Sequence, residues 1–227
     1  MGWRGEGEEL RMTATPRRVI PVRALLLASV LFSAAALALA DDSYFPIKGK
    51  AGSEGLTAFE AEWYGKSLQR MNEPHLRDFT KDASADVYRM MILPTWGNSI
   101  VVRVQRHGEL YSLSARRLDG QAGYDPGKLV EKKEVELNAD DSKTLGVLLQ
   151  NLIFFRMPTE NDISGNDGEE WILEGVSQGK YHVVQRWCAP SFDPKKRGLS
   201  GFVALCKFLL DKSSLSQRPQ DKGHRLL

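Results

Sequence analysis

The chain has 227 residues, with 31 basic and 29 acidic side chains, 42% hydrophobic residues and two cysteines. Arg4, Arg11, Arg17, Arg18 and Arg23, together with Glu6, Glu8 and Glu9, lie in the first forty residues, so the remainder carries 26 charges of each sign. That balance argues against a nucleic-acid binder, whose affinity comes from neutralising phosphates.

Arg17, Arg18 and Arg23 precede an apolar run from Ala24 to Ala40 that ends in Ala38-Leu39-Ala40. This is the layout of a secretory signal, with cleavage expected after Ala40. The run lies at the lower limit for crossing a bilayer, where about 20 residues are usual, so no membrane span is expected after cleavage. The acidic segment before Met12 does not suit a positive leading region, which makes Met12 a candidate start. No cysteine stands directly after the apolar run to accept a lipid.

Residues 41 to 55 hold Gly49, Gly52, Gly55 and Pro46 without periodicity and read as an extended leader, with order beginning at Thr57. Thr57-Ala58-Phe59-Glu60 is a capping box, and Ala61, Tyr64, Leu68 and Met71 follow at helical spacing until Pro74. From Val87 to Leu118, β-branched and aromatic residues alternate as in a meander of three strands. A turn at His107-Gly108 pairs Val104 with Tyr111 and places Ile100, Val102, Val104, Tyr111, Leu113 and Ala115 on one face.

The segment LVEKKEVELN reads as a charged outer strand, whose Lys132 and Lys133 discourage further pairing. Asn138 caps a helix with Leu145, Leu148, Leu149 and Leu152 as its buried stripe. Two strands follow, Trp171 to Trp187. An odd-length loop around Ser177, Gln178 and Gly179 collects Trp171, Leu173, Tyr181, Val183 and Trp187 on one face and leaves Glu174, His182 and Arg186 on the other. Residues 201 to 210 read as a final helix and those after Lys212 as a flexible tail. The expected architecture is a single α+β domain over residues 56 to 212. It contains an antiparallel sheet of five or six strands with two or three helices packed on one face.

The blocks FEAEWYGKSLQRMNEPHL, AGYDPGKL and NDGEEWILEGVSQGKYHVVQRW resemble those of a family of small, secreted, uncharacterised bacterial proteins. Asp167-Gly168, Trp171, Glu174-Gly175, Gly179, Tyr181-His182 and Arg186-Trp187 carry the resemblance in the last block. That family has no assigned activity, so the resemblance implies export and a single fold and transfers no chemistry.

Few residue groupings suggest a site. Glu174 and His182, in adjacent strands, could act as acid and base, with Arg186 holding an anion. The bland alternative is a solvated cross-strand ion pair. Tyr124 and Asp167 lie in turn-rich loops that could contact a ligand. Asp162, Ser164, Asn166 and Asp167 are spaced for calcium, but the sixth and twelfth positions counted from Asp162 are Asp167 and Leu173 rather than the required Gly and Glu. The four histidines lack metal-ligand spacing, and no nucleotide or serine-hydrolase motif occurs, so no metal or cofactor is expected. Cys188 and Cys206 form a possible disulfide if the domain folds outside the cytosol. These features favour a non-catalytic envelope module that binds a protein or small-molecule ligand. The alternative is an envelope hydrolase-like enzyme using Glu174 and His182.

Overall fold

The computed structural model describes residues 1–2, 43–50 and 54–216. The expected signal, its cleavage point and the tail beyond residue 216 lie outside the described residues. Helix α1 (Ala58–Arg70) and a 3-10 turn (Leu76–Lys81) precede strands β1 (Asp86–Pro94), β2 (Ile100–His107), β3 (Leu110–Leu118) and β4 (Leu129–Glu136). Helix α2 (Ala139–Leu152) and a short 3-10 turn (Phe154–Arg156) come next, followed by β5 (Glu169–Ser177), β6 (Lys180–Trp187) and helix α3 (Ser200–Lys212). The strands form one sheet in the order β4-β3-β2-β1-β5-β6, every adjacent pair antiparallel. The α+β architecture is therefore the one expected, with β4 as a charged edge.

Local signals account for the starts of α1 and α2. The Thr57 hydroxyl accepts from the Glu60 amide, and the Glu60 carboxylate accepts from the Thr57 amide at 2.8 Å. At α2, the Asn138 side chain accepts from the Asp141 amide at 2.8 Å. Helix α1 ends in a Schellman motif: Asn72 has φ +53°, its amide donates to Gln69, and the Glu73 amide donates to Leu68. This termination turns Glu73 back toward the sheet.

The helices do not all lie on one face. Leu145 and Leu152 of α2 and Phe202, Leu205, Cys206 and Leu209 of α3 pack with Met90, Ile92, Val102, Val104, Leu113, Trp171 and Leu173. On the opposite face, Ala61, Tyr64 and Leu68 of α1 pack with Met91, Leu93, Val101, Ile172 and Val183. The apolar run Met90-Met91-Ile92-Leu93 belongs to a central strand covered on both sides, the situation that removes the usual polar alternation.

The core also begins earlier than Thr57. Phe45 and Leu56 are buried in the α1-side cluster, and Ile47 bridges to Leu56. At the other end, Ser213 is buried, and the Ser216 amide donates to Glu131 at 2.9 Å. Among the described residues, no helix is long and apolar enough to cross a membrane.

Two hairpins differ from expectation in instructive ways. The β2–β3 turn is Gly108-Glu109, with Gly108 at φ +66°, so Val104 pairs with Leu113 and Val102 with Ala115. The register moves by two residues, which preserves the expected face. The β5–β6 loop has two residues, Gln178 at φ +51° and Gly179 at φ +70°. Both central residues at positive φ define a type I′ turn, whose twist suits adjoining strands. The odd-loop register is therefore incorrect: Trp171 pairs with Arg186, Gly175 with His182 and Glu174 with Val183.

Candidate functional site

The corrected register separates the expected polar trio. Directly paired residues share a sheet face, so His182 and Arg186 lie on the α2/α3 side with Trp171 and Leu173. Glu174 lies on the α1 side with Tyr181 and Val183. Each residue has a structural partner. The His182 ring packs against Phe154 at 5.1 Å and its Nε2 meets the Met157 carbonyl at 2.8 Å, which assigns the proton to Nε2. Arg186 is buried and donates to the carbonyls of Pro158 at 2.9 Å and Glu160 at 2.7 Å, clamping the chain before β5. Desolvation lowers the Arg186 pKa, with Arg197 acting in the same direction and Asp162 opposing it.

Glu174 belongs to a buried ionic cluster centred on Arg89. Arg89 Nε donates to Glu174 Oε1 at 2.6 Å, and its Nη1 reaches the Pro74 carbonyl at 2.7 Å and Glu73 at 3.3 Å. Tyr181 donates to the other Glu174 oxygen at 2.9 Å. Arg103 and Arg116 also meet Glu73, so three guanidiniums share two carboxylates. Burial pushes the Glu174 pKa up against the opposing pull of Arg89. The cluster fastens the end of α1 to the sheet, and the immersion of Glu174 removes it from solvent chemistry.

Tyr124 and Asp167, which sequence spacing did not connect, are joined by Trp96 in the β1–β2 loop. The rings of Trp96 and Tyr124 lie 5.1 Å apart at 35°, and Trp96 Nε1 donates to Asp167 Oδ1 at 3.2 Å. Trp96 is 54% and Tyr124 65% exposed. The three supporting loops are braced by backbone bonds: Thr95 N to Gly168 O at 2.8 Å, Ala122 N to Gly97 O at 3.0 Å and Gln121 N to Asp125 O at 2.8 Å. Trp63 Nε1 adds a 2.6 Å bond to the Ala122 carbonyl. A Cβ on Gly123 would approach the Thr95 carbonyl oxygen at 2.9 Å, so glycine permits the close passage of the two loops. The result is an aromatic ledge with a carboxylate at its edge.

Trp187 and Phe192 form a second aromatic pair, stacked at 5.4 Å, with Trp187 covering Gly165 and Gly168. Asp167-Gly168 thus touches both aromatic pairs. Sequence reasoning missed Trp96, although its setting, Thr-Trp-Gly-Asn between two apolar strands, marks an aromatic residue in a turn.

The remaining candidates take other roles. Arg197 Nε and Nη2 occupy the Asp162 carboxylate at 2.7 and 2.9 Å, holding its pKa below the usual range. Among the described residues, no three acidic, histidine or cysteine side chains are grouped to hold a metal ion. Cys188 and Cys206 are unbridged: Cys206 is buried in the α3 core, whereas the Cys188 sulfur lies against Gly168. Burial pushes both thiols up in pKa, which disfavours the reactive thiolate.

No protein-family model matches this chain, and a search of curated proteins finds no similar sequence.

Proposed function

We propose that the protein is an exported, non-catalytic binding module of the bacterial envelope that presents the Trp96–Tyr124–Asp167 ledge to a protein partner. The observation that carries this reading is the pair of large rings, each more than half exposed yet supported by hydrogen-bonded loops. Rigid tryptophan and tyrosine side chains contribute disproportionately to protein interfaces because they bury much area with few rotors to immobilise. Asp119, Asp125 and Asp167 on these loops outnumber Lys128, which favours a partner surface with an apolar side chain flanked by basic groups. The apolar run ending at Ala40 supports export.

The hydrolase alternative required Glu174 and His182 on one accessible surface. Their opposite sheet faces leave that alternative without a supporting geometry.

Affinity capture from an envelope extract tests the proposal. The wild-type chain should retain a partner that is lost with W96A and Y124A. Equal capture by all three proteins, or no capture accompanied by turnover of an envelope substrate, would reject it.

A further inference from the structure

At the end of the sheet opposite the ledge, a cavity of about 770 Å³ opens between the β2–β3 turn and α2. We propose that this cavity is a saccharide-binding site, with Asp86 and Arg106 as its polar anchor. Asp86 lines the cavity and is only 9% exposed. Its Oδ2 receives Arg106 Nε at 2.9 Å and lies 3.5 Å from the Tyr111 hydroxyl, and the Tyr88 hydroxyl also faces the carboxylate, while Oδ1 is buried with no donor within hydrogen-bond distance among the described residues. A buried carboxylate oxygen without a donor is costly, on the order of 1–3 kcal/mol, and a ligand hydroxyl would supply the missing bond.

The rest of the lining selects a neutral, hydroxyl-rich ligand over an ion. Asp86, Glu109 and Asp140 stand against Arg106 and Lys143, leaving little net field. The amides of Gln150 and Gln178 can both donate and accept, as sugar hydroxyls require. Burial, reinforced by Asp86, pushes the Tyr111 phenol up to about 12, so it remains a neutral donor. Leu110 and Val147 are exposed beside these groups and offer apolar contact to the C–H face of a sugar ring. The lining is more polar than apolar, which suits a hydroxyl-rich ligand rather than a greasy one, and the volume lies within the usual range of small-ligand sites.

Calorimetric titration of the full chain tests the proposal, with diacetylchitobiose, maltose and trehalose as saccharide probes and spermidine and phosphate as ionic controls. At least one saccharide should bind saturably. D86N should weaken that binding about tenfold or more, because it replaces a charged acceptor. V147W should abolish binding by filling the cavity from an exposed helix position, so the proposal remains testable even if D86N fails to fold. W96A should leave saccharide binding unchanged, separating this site from the ledge. The proposal is overturned if no saccharide binds, if only an ionic control binds, or if V147W binds a saccharide as tightly as the wild type.

Discussion

Arg89 and Glu174 face each other directly across β1 and β5, with Nε 2.6 Å from Oε1 and both side chains fully buried. They form part of a polar row crossing five strands, from Glu174 through Arg89, Arg103 and Ser114 to Glu134. Glu73, delivered by the α1 Schellman turn, meets this row from above. A residue that looked like a candidate base is therefore a component of the sheet-to-helix connection.

Removing one member should be severe because it strands a buried charge. R89M and E174Q should each reduce stability by about 3–5 kcal/mol, whereas the double change R89M/E174L should recover much of that loss. Urea unfolding curves for the three proteins provide the test. A loss below about 1 kcal/mol in R89M would contradict the buried placement.

Glu170 gives a pH dependence. Burial, opposed by Asn161 and reinforced by Glu60, pushes its pKa from 4.5 to about 7. The folded state therefore binds the proton more tightly than the unfolded state, and this group makes stability fall as pH rises from about 4.5 to 7. The full effect is on the order of 2–3 kcal/mol. E170Q should flatten that part of the stability-versus-pH curve, measured by denaturant unfolding at several pH values. An unchanged slope would place Glu170 in water.

Gly175 is fixed by packing rather than by backbone conformation. A Cβ there would come within 2.5 Å of Tyr88 Cδ1 and 2.9 Å of Phe154 Cε1. G175A should lower stability by about 1–3 kcal/mol through overpacking. Thermal melting checks this, and a neutral result would mean that the Tyr88–Phe154 pair yields freely.

The type I′ turn supplies a stabilising test. Gln178 holds φ +51° without the freedom of glycine. Q178G should raise stability by about 0.5–1 kcal/mol, because the left-handed conformation penalises a side chain. Destabilisation would favour a longer loop and restore the register rejected above.

The fold was legible wherever a local signal acted alone. The Thr57–Glu60 box, the Asn138 cap and the face containing Val102, Val104 and Leu113 are all encoded within a few residues. The final hairpin was ambiguous because both sheet faces are covered. Trp171 finds a core on one side and Val183 finds another, so collecting bulky residues onto one face was not a valid test of register. Arg89 within Val-Tyr-Arg-Met-Met-Ile carried a hint of a buried ion pair, but its partner Glu73 lies sixteen residues earlier and only the tertiary fold brings them together. The ledge was half legible: Tyr124 and Asp167 stood out as loop residues, and the indole that links them came from a third loop.

The ledge is tested most directly by covalent capture in the living cell. A photo-crosslinking phenylalanine analogue should be placed at position 124, and separately at position 207 as an exposed control on α3. Position 124 should yield a discrete cross-linked partner that disappears when W96A is added, and position 207 should not yield it. Absence of any product from position 124, or the same product from both positions, would contradict the ledge as the binding surface.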